Sequence, residues 1–319
     1  MKKNDVIVIG ELNIDFILNH ISALPQLGKE ILSREMTLTL GSSSAIFASN
    51  LSVLGANVAF TGKLGKDAFG DFICDTLTAK GIDTSGIIRQ ADLHTGATVV
   101  LNYGEDRAMI THPGAMESLS AADINWTQAE QARHLHISSC FIQPALCKDL
   151  PMIFQRARQM GLTTSFDPQW DPGEKWDIRL PDILPHVDVF LPNEKELLHI
   201  TRCNDITEAL AQLSGCCHTI AVKQGNKGST CFSQGRSVSL PAFLNTAVVD
   251  AIGAGDSFNA GFIYQFISKQ PPETCQRFGN MIAALSTTAA GGTAAFSDRQ
   301  EVFSILKERY RYEDDQPER

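Results

Sequence analysis

The sequence predicts an α/β protein built on a mostly parallel central sheet. Val6–Ile9 is an unbroken apolar run that ends in glycine, as in a strand buried on both faces. Across residues 134–223, short apolar runs alternate with helical patterns, which indicates βαβ units. Near the carboxyl end, the β-branched run 247–249 predicts a strand that enters a glycine turn, and apolar residues at helical spacing follow over 258–267.

Length, charge and composition narrow the class of protein. The chain has 319 residues, of which 43% are hydrophobic, enough for one large domain or two small ones with a substantial core. Its formal net charge of −9 argues against nucleic acid and against an anionic membrane as partners, because both favour a basic surface. We therefore expect a soluble protein that binds an anion only at a local site.

The amino terminus and the cysteines indicate the compartment. The apolar run over 6–9 is too short for a signal peptide or a membrane span. The eight cysteines are scattered, and the closest pair, Cys216 and Cys217, is adjacent, so neither a disulfide framework nor a zinc spacing is visible. We expect a cytoplasmic protein with reduced thiols.

The other strands and helices follow from hydrophobic periodicity and from the residues at their ends. Glycine closes several of the helical patterns, and a Gly104-Glu105-Asp106 turn joins two strands into a hairpin. The predicted strands are 37–40, 58–61, 95–102, 107–111, 134–138, 162–166, 187–191 and 218–223, and the predicted helices are 45–54, 72–77, 148–160, 258–267, 275–290 and about 299–310.

The stretch 250–261 has the pattern D-x-x-G-A-G-D-x-F-x-A-G. Gly253 and Gly255 let the backbone approach a ligand closely, and the unpaired N–H groups of the first helical turn, from Ala254 onward, form an anion site. Asp256 lies in this turn, where it either stabilises the helix dipole or takes a proton from a hydroxyl that attacks a phosphoryl group.

This pattern closely resembles the carboxy-terminal signature of the PfkB, or ribokinase-like, family of carbohydrate kinases, and further features follow in the family's order from about residue 6 to 292. The resemblance implies a three-layer α/β fold with a mostly parallel central sheet and a small β lid. It implies a single kinase domain over 1–312 with lid segments at about 14–40 and 95–112. The charged composition of 313–319 predicts a disordered tail.

The same resemblance implies ATP-dependent phosphorylation of a sugar hydroxyl, with Mg²⁺. Asp256 is then the general base, and the turn of Gly253, Ala254 and Gly255 is the anion hole. A homodimer through the lid is expected as well. Ribose, fructose, 2-keto-3-deoxygluconate, a nucleoside and a phosphorylated hexose all remain open as substrates.

Residues near the amino terminus are implied to bind the sugar. Asn13 and Asp15 follow the first strand, where they either cap a turn or bind the sugar. A carboxylate suits a sugar because it accepts from two hydroxyls at once. The family's amino-terminal signature has a Gly-Gly pair and then an asparagine that contacts substrate. Here these positions are Gly41, Ser42 and Ile46, so one sugar contact is missing and the serine either supplies a hydroxyl or only caps the helix.

Two further sugar contacts are expected. Arg107 is the strong cation of the lid hairpin, and it either touches the substrate or pairs with Glu105 or Asp106. Asp167 lies in a segment that resembles the family's F-D-P-N-x-R stretch, with Gln169 in place of the asparagine and the arginine position unfilled; it is alternatively a turn residue. The shortage of basic residues favours a neutral sugar, or one with a single carboxylate, over a sugar phosphate.

The nucleotide and metal sites are implied in the second half. Asn193 and Glu196 form either a helix cap or a site that orders Mg²⁺ and phosphate, mostly through water. Lys223, Gly225 and Gly228 resemble the family's nucleotide-binding loop, where a threonine is common in place of the lysine.

Near the carboxyl end, Asn280 is expected in the adenine pocket. Asp250, Ile252 and Gly291 fall where the family holds a potassium ion. Packing between helices is the alternative for these small residues and loops.

Two other functions stay open. A nicotinamide-dependent oxidoreductase would also use buried strands and glycine turns, but Gly10 is not followed by a G-x-G-x-x-G turn. A catalytically silent sugar- or nucleotide-binding module is compatible with Ile46, and Asp256 argues against it.

Overall fold

The computed structural model describes residues 3–103 and 107–313. The predicted hairpin turn Gly104-Glu105-Asp106 and the predicted tail, apart from its first residue, lie outside the described residues.

Strands and helices alternate along the chain. The strands are β1 (Val6–Ile9), β2 (Asn13–Asn19), β3 (Glu35–Leu40), β4 (Val58–Gly65), β5 (Asp83–Gln90), β6 (Gly96–Asn102), β7 (Arg107–His112), β8 (His134–Ser138), β9 (Thr163–Asp167), β10 (Val189–Phe190), β11 (Thr219–Lys223), β12 (Ser229–Ser233) and β13 (Arg236–Leu240). The α-helices are α1 (Ser43–Val53), α2 (Ala68–Ala79), α3 (Trp126–Ala129), α4 (Pro144–Cys147), α5 (Leu150–Gln159), α6 (Leu180–Ile183), α7 (Glu194–Thr201), α8 (Ile206–Leu213), α9 (Ala254–Ile267), α10 (Pro272–Ser286) and α11 (Arg299–Tyr310).

A nine-stranded sheet forms the centre of the molecule, in the order β13-β12-β11-β10-β9-β8-β1-β4-β5. Every pair from β11 to β5 is parallel, and the two strands at the other edge are antiparallel. Strand β1 lies between β8 and β4, so the chain that follows it emerges in the interior of the sheet rather than at an edge. The predicted mostly parallel sheet is confirmed.

Helices cover both faces of this sheet, because alternate residues of each strand point to opposite sides. On β1, Val6 and Val8 belong to the core beneath α1, α9 and α10, whereas Ile7 and Ile9 belong to the core beneath α5, α7 and α8. All four side chains are fully buried. The predicted three-layer arrangement is therefore confirmed.

A second sheet of four strands, in the order β3-β2-β6-β7, projects from the first. Strands β6 and β7 pair antiparallel, which confirms the predicted hairpin strands, and β2 pairs parallel to β6. Asp15 lies opposite Thr98, and Thr98 lies opposite Thr111, so these polar residues share one face. On the other face, Phe16 packs edge-on against Phe69 of α2, with ring centroids 5.6 Å apart.

The predicted strand at 247–249 is wrong. The segment forms no strand, and Val248 and Val249 are 61% and 59% exposed. β-Branched residues favour an extended backbone, but a strand also needs a neighbour for its N–H and C=O groups. Here the Val249 N–H donates instead to the Thr287 carbonyl at the end of α10. The helix predicted over 275–290 also starts earlier and ends at Ser286.

Ser42 caps helix α1 from an unusual backbone conformation. Its φ of +70° lies in the region that favours glycine, the residue that the family signature has here. The Ser42 hydroxyl accepts from the Ala45 N–H at 3.0 Å and donates to the Glu11 carbonyl. These two hydrogen bonds offset the cost of the conformation.

We predict that two replacements of Ser42 separate the benefit of the helix cap from the cost of the strained backbone. Ser42→Ala keeps the strain and loses the cap, so urea denaturation should show a loss of about 1–2 kcal/mol in unfolding free energy. Ser42→Gly also loses the cap but relieves the strain, so its loss should be about 0.5 kcal/mol or less. Equal losses in the two variants would contradict the strained backbone.

Candidate active site

A cleft of about 650 Å³ lies between the carboxyl edge of the central sheet and the four-stranded sheet. Residues that close or follow five neighbouring parallel strands line it: Glu11, Ser139, Gln169, Asn193 and Lys223. This is the edge where open α/β sheets bind ligands, because the crossover loops meet there. The site is therefore set by strand topology.

Asn13, Asp15 and Thr98 form a hydrogen-bonded group at one end of the cleft. The Asn13 amide donates to Asp15 Oδ1 and to Thr98 Oγ1, both at 2.9 Å. Burial raises the pKa of Asp15 to about 6, although hydrogen bonds from Asn13 and Thr98 oppose the rise. A side chain at Gly41 would overlap the Asp15 carboxylate, which explains the glycine. Arg107 and Thr111 line the same end from β7.

Glu11 is a fully buried carboxylate beside this group. It accepts from the Ser44 N–H at 3.1 Å, from the Ser139 hydroxyl at 2.9 Å and from the Ser44 hydroxyl. Burial raises the pKa of Glu11, and these donors counteract the rise. The hydrogen bonds bring the ends of β1 and β8 and the start of α1 together at the cleft.

The glycine turn predicted from the sequence lies in the middle of the cleft wall. Gly253 is the residue before α9 and has a φ of +73°, and a side chain there would press on Gly292 and Ile46. The helix begins at Ala254, so the N–H groups of its first turn have no acceptors within the helix. The turn is therefore suited to an anion.

Asp256 lies in this first turn and is only 6% exposed. Its Oδ1 accepts from the Gln169 side-chain amide at 2.8 Å. Burial raises its pKa to about 7; the neighbouring Asp167 adds to the rise, and Lys223 opposes it. A carboxylate with this pKa gains and loses a proton near neutral pH.

Asp167 pairs with Lys223, at 2.6 Å between Oδ2 and Nζ. It also accepts from the side-chain amides of Asn259 and Gln169. Asp167 is fully buried behind these donors and is not among the residues that line the cleft. The predicted direct contact with substrate does not fit this geometry, because the carboxylate is already occupied.

Lys223 sits at the end of β11 between the two halves of the cleft. Burial alone would lower its pKa, but the carboxylates of Asp167 and Glu196 outweigh burial and raise it. Its ammonium group would lie about 3.8 Å from a Cβ placed on Gly255, so the cation borders the anion-binding turn.

Asn193 and Glu196 form the predicted capping arrangement at the start of α7. The Asn193 N–H donates to Glu196 Oε2 and the Glu196 N–H donates to Asn193 Oδ1, both at 2.8 Å. Burial and then the charge of Asp167 raise the pKa of Glu196 to about 8. Since the carboxylate is held by its own cap, contact with a metal through water fits better than direct ligation.

The other half of the cleft is mainly apolar and runs from the G-x-x-G loop to α10. Gly228 has a φ of +102°, and a side chain there would overlap the backbone after β13. Asn280 accepts from the Ser229 hydroxyl at 3.0 Å and donates to the Pro241 carbonyl at 3.3 Å. Further lining residues are Ala242, Phe243, Leu244, Val248, Gly225, Ala283, Ala284 and Thr287.

Asp250 ties the glycine turn to the loop after α10. Its two oxygens accept from the N–H groups of Ile252 and Gly291, each at 2.9 Å. The three residues of the predicted potassium site are thus brought together. The carboxylate is engaged by backbone, although each oxygen keeps a second lone pair.

Sequence reasoning assigned no role to three residues that the fold brings to the site. The sequence does contain a signal for Glu11, because a charged residue so soon after a buried strand needs buried hydrogen-bond partners. Asn259 also had one, since it lies three residues after Asp256 on the same side of a helix. Gln169 stands out in the sequence only because it replaces the asparagine of the family pattern. Its contact with Asp256 depends on the approach of two distant segments.

The family model for pfkB family carbohydrate kinase matches residues 3–299. The chain therefore belongs to the PfkB family of carbohydrate kinases, and it is an ATP-dependent carbohydrate kinase. An uncharacterized sugar kinase from Archaeoglobus fulgidus is 29% identical over 234 residues, which cover 73% of this chain and 92% of the relative. Ribokinase from Haemophilus influenzae is 25% identical over 309 residues, which cover 94% of this chain and 97% of that enzyme.

The solved structure of Arabidopsis thaliana ribokinase with ribose and ATP superposes with a TM-score of 0.80 at 25% identity, covering 95% of this chain and 99% of that one. This likeness confirms the ribokinase-like fold predicted from the sequence. Within the described residues, no helix has the length and apolar character needed to cross a membrane, and no group of three or more His, Cys, Asp or Glu side chains is arranged to hold a metal.

The raised pKa of Asp256 has a consequence for stability. The folded protein binds this proton more tightly than the unfolded chain, whose pKa keeps the ordinary value of 3.8. The resulting stabilisation is fully present below about pH 4 and is lost as the pH rises through about 7. At pH 8 the ionised carboxylate is therefore a net cost to the fold.

We predict that Asp256→Asn removes this cost. The melting temperature of the variant relative to wild type should rise by about a few degrees between pH 5 and pH 8. Differential scanning calorimetry at the two pH values measures it. Asp92→Asn, in the exposed turn after β5, serves as the control. A difference for Asp256→Asn that does not change with pH would contradict the buried, proton-binding carboxylate.

Proposed function

We propose that the protein transfers the γ-phosphoryl group of ATP to a hydroxyl of a neutral sugar bound between the two sheets. The observation that supports this most is the placement of Asp256. It is a buried carboxylate with a pKa near 7, and it lies in the first turn of a helix that begins with an anion-binding glycine turn. A general base works best when its pKa is near the working pH.

In this reaction the acceptor hydroxyl lies between Asp256 and the γ-phosphate. Asp256 takes the hydroxyl proton as the oxygen attacks phosphorus, and ADP leaves. The N–H groups of Gly253, Ala254, Gly255 and Asp256 stabilise the charge on the transferring group, and Lys223 adds a positive charge beside them. This division of work matches phosphoryl transfer, in which positioning and electrostatics supply most of the catalysis.

The sugar binds at the end of the cleft that carries Asn13 and Asp15. Their polar atoms suit neighbouring sugar hydroxyls. Ser42 and Arg107 line the same cleft, and Gly41 lies against the Asp15 carboxylate. Arg107 and Lys223 are the two lysine or arginine side chains among the described residues that line the cleft. Glu11, Asp15, Glu196 and Asp256 line it as well, so a phosphate ester would bring a dianion among four acids. We therefore infer a neutral acceptor, or one with a single carboxylate.

ATP binds in the other half, with its phosphates toward the turn at 253–256. The loop with Gly225 and Gly228 borders the ribose and phosphates, and the apolar wall beside Asn280 receives the adenine. Asp250, Ile252 and Gly291 supply oxygen ligands for a potassium ion, which fits the free lone pairs of the carboxylate.

Magnesium fits the charge of this site. Three buried acids, Asp167, Glu196 and Asp256, surround one lysine, and Glu11 acts on Asp256. Burial with mutual repulsion raises the pKa of Glu196 and Asp256. A divalent cation relieves this excess of negative charge when it enters with the nucleotide. Asn193 and Glu196 would hold it through water, and it would neutralise charge on the phosphates.

The four-stranded sheet acts as a lid within one kinase domain over 1–312. The segments 14–40 and 95–112 close over the sugar and exclude water, which would otherwise compete as acceptor. The outer face of this sheet exposes Met36, Leu38 and Ile110. A second copy of the chain covers this apolar face in a homodimer, and the enzyme works in the cytoplasm.

Ile46 does not favour a silent binding module. Its side chain packs against Gly253 and Gly292 and so supports the anion turn from behind. The missing asparagine removes one sugar contact without disturbing Asp256. The oxidoreductase alternative has no further support, since the first strand leads into Glu11 and Asn13 and not into a dinucleotide turn.

We predict that Asp256→Asn lowers kcat by at least about a hundredfold, the usual effect of losing a general base. Binding of ATP should be unchanged, because the shape of the side chain is kept. The acceptor for this assay comes from a thermal-shift screen of neutral sugars and nucleosides with a non-hydrolysable ATP analogue. ADP release is then measured in wild type, Asp256→Asn and Asp92→Asn. Turnover near the wild-type rate in Asp256→Asn would remove its catalytic assignment.

We predict that Asp15→Ala raises the KM for the acceptor by about 10- to 100-fold, the effect of losing charge-assisted hydrogen bonds. The KM for ATP should change less than about twofold, because Asp15 lies at the sugar end. Asp15→Asn keeps the shape and should give a smaller effect. If ATP affinity falls while acceptor KM is unchanged, the two halves of the cleft have been assigned in reverse.

A further inference from the structure

Gln169 stands two residues beyond β9 in an unfavourable backbone conformation. Its φ is +60°, in the left-handed region that glycine and asparagine adopt more readily than glutamine. Its N–H donates to Asp167 Oδ1 at 3.2 Å. Strained conformations of this kind persist where the surrounding structure holds them, and they concentrate at functional sites.

The Gln169 side-chain amide bridges two buried carboxylates. Its Nε2 donates to Asp256 Oδ1 at 2.8 Å and to Asp167 Oδ2 at 3.0 Å. Carboxylate oxygens of ionised acids only accept, so the NH₂ group and not the amide oxygen must face them. The two N–H bonds of one amide thus serve one carboxylate each.

The bridge matters more to Asp256 than to Asp167. Asp167 also has Lys223 and the Asn259 amide as donors. Asp256 has the Gln169 amide, and a hydrogen bond from the Ser43 side chain also lowers its pKa. The charged groups that act on Asp256 from the neighbouring elements are Glu11, Asp15, Asp167, Glu196 and Lys223.

Given the proposed function, we propose that Gln169 is a positioning residue for the general base. Its amide holds Oδ1 of Asp256 and leaves Oδ2 as the oxygen that takes the proton of the acceptor hydroxyl. The same amide also donates one N–H to Asp256 and the other to Asp167. Both carboxylates can therefore be ionised at once without a shared proton between them.

The test follows the protonation of Asp256 directly and needs no substrate. The protein is labelled with ¹³C at the aspartate carboxyl groups, and the Asp256 signal is identified by its loss in Asp256→Asn. In Gln169→Leu, which keeps the side-chain size and removes the donor, the Asp256 midpoint should rise by about one pH unit. Gln234→Leu is the matched control, because Gln234 also has a positive φ, +51°, and is exposed between β12 and β13.

Failure of the Gln169 role and failure of the Asp256 role give different results. A midpoint in Gln169→Leu that equals those of wild type and Gln234→Leu would overturn the role of Gln169. If the leucine variant does not fold, Gln169→Gly, which suits the backbone, should show the same upward shift. With D-ribose or D-fructose as acceptor and Mg·ATP, the acid limb of the kcat profile should move upward with it, and the acceptor KM should stay unchanged. Wild-type turnover in Asp256→Asn would remove the catalytic assignment of Asp256 on which this inference rests, while the ¹³C titration would still decide whether Gln169 acts on that carboxylate.

Discussion

The rest of the site depends on the ion pair of Lys223 and Asp167. The two residues end β11 and β9, which lie on either side of β10, so the sheet register fixes their 2.6 Å separation. A buried charge is tolerated only when it is paired and hydrogen-bonded. Lys223 is the one cation set among Asp167, Glu196 and Asp256 in the described part of the site. Without this lysine, some of these acids would have to bind protons or their side chains would have to move apart.

The surplus of negative charge connects the fold to the chemistry. Burial favours the neutral form of a carboxyl group, and neighbouring acids add to this, so the pKa of Asp256 rises to about 7. A base with that pKa is ready to take a proton at neutral pH. The same crowding makes the site receptive to the positive charge that accompanies a nucleotide. The same group of crowded acids therefore contributes to both proton transfer and nucleotide binding.

Local sequence patterns predicted the parts of the fold that depend on near neighbours. The buried run at Val6–Ile9, the glycine turn and the start and end of α11 all follow from residues within one element. The predicted strand at 247–249 is wrong because the Val249 N–H bonds to the residue after α10 and not to another strand. The Glu11 cluster and the Gln169 bridge were missed because Ser44, Ser139 and Asp256 come from distant segments, and no local pattern records which segments meet.

The central claim is that phosphate moves from ATP to a sugar hydroxyl in this cleft. The most direct measurement is ³¹P NMR of the protein with Mg·ATP and pooled neutral sugars. The account predicts a new phosphate monoester signal that grows in a 1:1 ratio with ADP and is absent without sugar. ADP formed together with inorganic phosphate alone, or ATP left unconsumed by a folded protein across the sugar pool, would contradict it.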